Sequence, residues 1–442
     1  MTTEILTTPH GGLDAQARPV PGYVVKTPWA RNLLTFFLVS GPGLIVMEAD
    51  NDAGAVSTYI QAGAQYGTSL LWLLLVLLPC TYFVQEMVVR LGIATGKGHA
   101  AIIYRRFGKW WGLFSLVDLE VVNFLTLVTE FAAIDLALRQ LGVDPRIGVP
   151  FAALALMTIV LTGSYRRWER VVVVLCLLDL TWFVLAVWVK TPLWAVLHGA
   201  VPSRPPGRPT ADYIFLVIAI VGTTIAPWQL FFQQSCIADK RLRFADLKWA
   251  RLDTLVGAVF TILVAGAMML VGNASRQHDL AFADPAKMAT DLAPSLGVAF
   301  KTGVLLMMIN AAVLGTTAIS LSSAWAYGES KGWAHSLQLS PRGAPGFYAV
   351  YLCSVAAAAG IVLIPGVPLQ LFILGVQVLA GIMLPSAIIF LQLLLNDREV
   401  LGEQYANKRW NNWVNWTIIV VLFVLSLILA AQVVAPRLFP SA

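Results

Sequence analysis

The stretch GPGLIVMEADNDAGAVSTYIQAGAQYG, residues Gly41 to Gly67, is long enough to cross a bilayer, yet Glu48, Asp50, Asn51 and Asp52 stand in its middle. A charged side chain at the centre of a spanning helix costs about 3 kcal/mol on insertion scales, so it is kept where it pairs, faces a cavity or binds something. The run Asp52-Ala53-Gly54 also suits a continuous helix poorly. Gly is about 1 kcal/mol worse than Ala in a helix interior, and Asp competes for the backbone hydrogen bonds. A helix that breaks at membrane depth frees carbonyl groups, which are tolerated only where they line a site. Carboxylates, freed carbonyls and an apolar frame together describe a site for a cation. A calcium loop starting at Asp50 would need a closing Glu where Gln61 stands, and its flanks would not be membrane segments, so that reading fails.

The rest of the chain agrees with a membrane setting. Of 442 residues, 58% are hydrophobic and 12% charged, and the mean hydropathy is +0.74. Such a composition excludes a soluble domain and predicts an all-α polytopic membrane protein. The net charge of +6 reflects Lys and Arg gathered in one set of loops, so it is no sign of a nucleic-acid partner. Cys80, Cys176, Cys236 and Cys353 are scattered through apolar segments and read as packing residues. Residues 1–30 are polar, lack the apolar core of a cleavable signal peptide, and read as a cytoplasmic segment.

Eleven apolar segments follow one another, at 31–66, 70–94, 113–141, 149–162, 171–189, 213–238, 254–271, 303–328, 347–363, 369–395 and 413–434. Placing the amino terminus in the cytoplasm puts Lys97, Arg105, Arg106 and Lys109, then Arg166, Arg167 and Arg170, then Lys240, Arg241, Arg243, Lys248 and Arg251 on the inner side. This satisfies the positive-inside rule. Eleven spans then leave the carboxyl terminus outside, with the long connections 190–212 and 272–301 on that same face.

A second interruption falls in IVGTTIAPWQLFFQQS, residues 220–235. Pro227 removes an amide donor and crowds the preceding turn, and Thr223, Thr224, Trp228 and Gln229 surround it. Taken alone, a Pro kink is equally a structural bend. Paired with the first break it marks two halves, 31–189 and 213–395, joined by the extracellular loop 190–212 and followed by 396–442, a cytoplasmic loop and the eleventh helix. Interrupted helices at corresponding places in two halves point to a transporter with its site at the midplane.

Other polar residues inside apolar runs are weighed one by one. Glu130 is the deepest acid of the third span and reads as functional, while Asp118 and Glu120 sit towards its mouth. Asp135 can pair with Arg139, and Glu86 with Arg90, each one turn apart on its own helix. Asp179 shows no partner and reads equally as functional or structural. Gln377 can reach a midplane site, and Asn310 either does so or joins two helices by a hydrogen bond.

The runs IQAGAQYGTSLLW (Ile60–Trp72), LGIATGKG (Leu91–Gly98) and LPSAIIFLQLLLNDREVLGE (Leu384–Glu403) resemble the NRAMP family of divalent-metal transporters. The resemblance implies a LeuT-like 5+5 inverted repeat of about eleven helices, with helices 1 and 6 broken and the metal held between them. Where the family has Asp-Pro-Gly-Asn, this chain has Asp52-Ala53-Gly54-Ala55, so the Asp is kept and the Asn lost. Where it has Met-Pro-His, this chain has Ala226-Pro227-Trp228, and Gln233 stands at the family's second histidine. Leu127 replaces the acid linked to proton movement, and Glu130 is kept. This pattern is most similar to the NRAMP-related magnesium transporters, in which proton coupling is absent.

A thioether favours soft cations; Ala226 removes it. Mg²⁺ keeps much of its water and is held by one or two carboxylates. The expected metal site is therefore Asp52, the carbonyls near Ala53 and Thr223, the space at Ala226, and the amides of Gln229 and Gln377. Glu48, Asp50, Asn51, Ala55, Trp228 and Glu130 are expected to line the entrance or cavity, and Gly54 and Pro227 to permit the breaks. The reading is a secondary transporter of Mg²⁺ and Mn²⁺ in the plasma membrane that carries no protons. The metal is cargo, no cofactor is implied, and the other partner is the lipid bilayer; oligomeric state is not read. The rivals are a proton-coupled Mn²⁺/Fe²⁺ importer and an organic-solute carrier on the same fold. No catalytic triad, zinc-protease motif or phosphate loop suggests an enzyme.

Overall fold

Leu, Val, Ile and Ala runs that cross hydrocarbon must satisfy each backbone amide within their own segment, and helices do so. A computed structural model describes residues 39–203, 210–403 and 405–434, with Trp29, Asn32, Thr35 and Phe36. The expected cytoplasmic segment 1–30, apart from Trp29, lies outside the described residues, as do 204–209 of the 190–212 connection and 435–442 at the carboxyl end.

Among the described residues there is no strand. The first apolar segment is divided into α1 (Pro42–Ala49) and α2 (Ala53–Tyr66). Then come α3 (Leu71–Thr95), a short α4 (His99–Phe107), α5 (Lys109–Leu141) and α6 (Pro145–Val160). The fifth segment comprises α7 (Tyr165–Leu178) and α8 (Thr181–Val189), and the sixth α9 (Thr210–Thr224) and α10 (Pro227–Lys240). After α11 (Leu247–Gln277) and α12 (Val298–Lys331) follow α13 (Pro345–Val362), α14 (Leu369–Asn396) and α15 (Arg409–Val434). Among the described residues nine helical stretches are long and apolar enough to cross a membrane, and α6 is a shorter apolar helix. With the divided first segment they account for the eleven apolar runs of the sequence.

The helices run beyond the apolar segments that predict them. Lys and Arg at their ends carry aliphatic stems over apolar surface and hold their charges outward, so helical structure continues past the hydrophobic stretch. The loop expected at 99–107 holds α4, an amphipathic helix that buries His99, Ala100, Ile102 and Ile103.

The broken helices sit inside the bundle. α11 lies along α1, α2 and α3, α12 lies along α5, and α14 lies along both α9 and α5. Small residues let the backbones meet. A Cβ on Gly63 would stand 1.9 Å from the Met269 carbonyl oxygen, and one on Gly272 would stand 2.0 Å from that of Ile60.

The basic clusters share one end of the bundle. There Lys240 pairs with Glu169 at 2.8 Å, Arg251 with Glu86 at 2.6 Å, and Arg106 with Asp397 and Glu399. Arg90 bonds Glu86, as its spacing predicts, and also reaches Asn407 at 2.8 Å. At the other end Asn273 and Gln277 both reach Thr191. All four cysteines are free. Cys176 and Cys236 are buried, Cys80 is half-buried, and Cys353 is exposed on α13, so packing accounts for the first three and not for the last.

Candidate cation site

α1 stops at Ala49, where Asp50 is its C-cap, and Asp52 starts α2. The Asp52 backbone is extended, and its carboxylate accepts the Ala55 amide at 2.9 Å, which caps α2. At the second break α9 stops at Thr224, Ala226 is extended, and Pro227 occupies the first turn of α10, where a missing amide costs nothing. Gly54 and Pro227 therefore stand where the breaks require them.

The third span closes on the first break. Glu130 of α5 accepts the Ala53 amide on one carboxylate oxygen at 3.1 Å, and its other oxygen has no hydrogen-bond partner. Gly315 of α12 makes room for this pair of acids. A Cβ there would lie 2.7 Å from the Asp52 Cβ and 2.8 Å from the Glu130 carboxylate. Gln377 of α14 fills the space at Gly54, where a Cβ would fall 1.7 Å from its amide nitrogen, and that nitrogen is unpartnered.

A second acid ties the two breaks together. Gln229 of α10 donates its amide to Asp50, and its carbonyl accepts the Gln85 amide at 2.8 Å. Tyr59 of α2 and Thr224 of α9 make a further link, with their hydroxyl oxygens 2.7 Å apart. Thr223 has a buried hydroxyl without a partner, and its carbonyl belongs to the last turn of α9, whose carbonyls lack helical partners. Asn51 is fully buried, and its side chain lies beside the Glu48 carboxylate.

Most of the expected site residues thus come together, with three corrections. The Ala53 carbonyl lies in the first turn of α2, where carbonyls accept from the next turn, so the freed carbonyls of the first break lie in the last turn of α1. Gln229 is joined to Asp50 and not to Asp52. Glu48, Asp50 and Trp228, expected to line the entrance or cavity, are 0%, 1% and 1% exposed, so they line no open entrance and lie in the closed interior of the bundle. Glu48 is packed against α11, where the Thr261 hydroxyl lies 3.2 Å from its carboxylate. The Trp228 ring stacks edgewise on Phe232.

Other polar residues find ordinary partners. Asp135 holds Arg139 at 2.6 Å, Asp118 accepts from Ser386, and Asn310 donates to Asp179 at 3.0 Å and to the Leu175 carbonyl. Gln85, Tyr59 and Gly315 were not singled out by the sequence. Gln85 carries the same mark as Gln377, an amide within an apolar run, and could have been found by it.

Glu48, Asp50, Asp52 and Glu130 are buried, and among the described residues none of them takes part in a salt bridge. Among the described residues there is also no cluster of three His, Cys, Asp or Glu side chains arranged to hold a metal. The donors are instead a mixture of carboxylate, amide and backbone oxygen, all hard. Such an arrangement attracts a cation without stripping all of its water.

A family model described as natural resistance-associated macrophage protein-like matches residues 43–432. The chain is similar to the divalent metal cation transporter MntH of Staphylococcus aureus strain JH9, with 25% identity over 435 residues that cover 91% of this chain and 92% of the relative. Its fold is similar to that of the Eremococcus coleocola manganese transporter solved with an aromatic bis-isothiourea compound. That match has a TM-score of 0.76 and 20% identity over 92% of this chain and 89% of the other. A more distant likeness is to MhsT in complex with L-phenylalanine, with a TM-score of 0.57 and 12% identity over 89% and 98% of the two chains.

Proposed function

The chain belongs to the natural resistance-associated macrophage protein-like family, and from that premise we propose that it carries Mg²⁺, and with it Mn²⁺, by alternating access without moving protons. The observation that carries this reading is the donor set between the two breaks. Asp52, Asp50, Gln229, Gln377 and the Thr223 carbonyl are oxygen donors, and Ala226 offers a methyl group where the resembling family motif has a thioether. Soft cations lose their preferred ligand there, and a partly hydrated hard cation gains space. Asp52 and Asp50 are the charged ligands. Glu130 holds the first break open through the Ala53 amide.

The two breaks give the transport motion its hinge points, and the bonds Gln229–Asp50 and Tyr59–Thr224 tie them together when the site is sealed. The gathering of basic loops at one end supports placing that end in the cytoplasm, with the amino terminus there and the carboxyl terminus outside.

A proton-coupled Mn²⁺ importer is the second reading, and one observation favours it. Glu130 touches the residue next to Asp52 and keeps one carboxylate oxygen free, as a proton carrier would. Both readings are tested by reconstituting the full chain in liposomes and following Mg²⁺, Mn²⁺, Ca²⁺ and Cd²⁺ uptake together with internal pH. Mg²⁺ and Mn²⁺ uptake without acidification, abolished by Asp52→Ala, is the expected result. A metal-dependent fall in internal pH, or uptake of Mn²⁺ without Mg²⁺, gives the site to the second reading.

A further inference from the structure

A groove on the outside of the bundle belongs neither to the two breaks nor to the basic end. It lies between α3, α8 and α11, has a volume of about 530 Å³, and shares no residue with the cation site. Its walls are apolar, and on α11 it extends from Leu270 to Ile262, about 12 Å along the helix axis. Leu75, Val187 and Leu263 on its rim are exposed, as side chains that face hydrocarbon are.

Two features set this groove apart from a packing defect. The first is a polar mouth. Lys190 ends α8 in the left-handed region, with φ 57°, where glycine is the usual residue. It takes part in no ion pair among the described residues. The Thr191 hydroxyl accepts the amides of Asn273 at 3.2 Å and Gln277 at 3.3 Å, which leaves its own hydrogen to donate. Among the described residues no acid lines the groove.

The second feature is the floor. A Cβ on Gly266 would meet nothing nearer than the methyl carbons of Leu71 and Leu74, each at 3.9 Å. Gly63 and Gly272 admit a neighbouring backbone, whereas no protein group takes up the room at Gly266. Gly costs a helix interior about 1 kcal/mol relative to Ala, so the space is kept at some expense. The short helix Leu193–Gly199 roofs the mouth through Val196. It is held against the turn after α2, because a Cβ on Gly199 would stand 2.2 Å from the Thr68 carbonyl oxygen. Trp194 is exposed on this helix with Leu193 and Leu197, and an exposed Trp marks the level of the lipid headgroups.

We propose that the groove binds one anionic phospholipid of the surrounding bilayer, with an acyl chain laid over Gly266 and the phosphate on Lys190 Nζ and the Thr191 hydroxyl. The apolar wall and the single cation stand at the depths of an acyl chain and a headgroup, and a soluble anion would leave the wall unused. A zwitterionic headgroup brings an ammonium that gains nothing from Lys190, so the site selects negative charge. The inference is independent of which ion the protein carries.

Native mass spectrometry of the full chain, released from detergent containing dioleoyl-phosphatidylglycerol or dioleoyl-phosphatidylcholine, counts the lipid retained. The wild type should keep about one phosphatidylglycerol per chain and about fivefold less phosphatidylcholine, the difference one lysine makes at a membrane surface. Lys190→Gln should erase that preference, and Gly266→Leu, which fills the floor, should lower retention of both lipids. Thermal unfolding without added lipid shows whether each variant is folded, and Gly266→Val fills the floor with a smaller side chain if leucine disturbs the fold. Equal retention of the two lipids by the wild type, or a preference that survives Lys190→Gln, overturns the proposal. Retention unchanged by a folded Gly266 variant overturns it as well, by leaving the groove unused. Displacement of the lipid by glycerol phosphate alone would give Lys190 to a soluble anion and overturn it too.

Discussion

Ala226 presents a methyl group at the second break, where it is 5% exposed, and the proposed site is otherwise built from oxygen donors. Ligand softness is therefore set by one side chain. Replacing it with methionine adds a polarizable thioether at the second break, beside Gln229, without altering charge. Ala226→Met should raise the preference for Mn²⁺ and Cd²⁺ over Mg²⁺ by about tenfold, which corresponds to 1.4 kcal/mol. Competition uptake with the three ions measures the ratio, and an unchanged ratio in a variant of unaltered thermal stability would refute the role given to sulfur. The carboxylates and Gln377 could be read from the sequence because polar groups within apolar runs need a reason to be there. What they bond to could not. Gln229 reaches Asp50 and Gln85 across sequence separations of 179 and 144 residues, and no local pattern encodes such a meeting.

Breaks in α1–α2 and α9–α10 were legible because Asp, Gly and Pro disfavour a continuous helix wherever they occur. The division of the fifth span at Asp179 was not, since Leu178 and Leu180 flank it with helix formers and only tertiary packing selects the turn. Close helix contacts were equally hidden, because a glycine within an apolar run does not announce what faces it. The structure separates two kinds. At Gly63 the obstacle to a side chain is the Met269 carbonyl, which is backbone, whereas at Gly54 it is the tip of Gln377. Gly63→Ala must therefore push α2 from α11 and should lower thermal stability by about 2 kcal/mol or more. Gly54→Ala need only turn Gln377 aside, so it should leave stability within about 1 kcal/mol while cutting uptake at least about tenfold. The double variant Gly54→Ala/Gln377→Ala separates the two roles of that amide. Restored uptake would show that Gln377 merely obstructs, and continued loss would show that the cation uses it.

The assembled molecule brings its uncompensated acids to the middle and its basic loops to one end. That distribution bears on what drives transport. A dication crossing without a counter-moving charge gains about 4.6 kcal/mol per 100 mV of membrane potential, because each elementary charge contributes about 2.3. Converted to a concentration ratio this is more than about a thousandfold, so a negative interior suffices for accumulation and no proton gradient is needed. Ions with such a drive must carry net charge through the protein, which a proton-exchanging or electroneutral carrier would reduce. Liposomes loaded with K⁺ and treated with valinomycin impose the potential directly. Mg²⁺ uptake should rise steeply as the interior is made negative and reverse when the gradient of K⁺ is reversed. On the proposed reading, in which Asp52 and Glu130 serve the cation and the break and do not ferry protons, a change of external pH from about 8 to about 6 should leave that response in place. If uptake ignores the potential but follows the pH gradient, the pair Asp52–Glu130 is a proton carrier after all, and the acids at the centre of this bundle work in alternation with the metal instead of together with it.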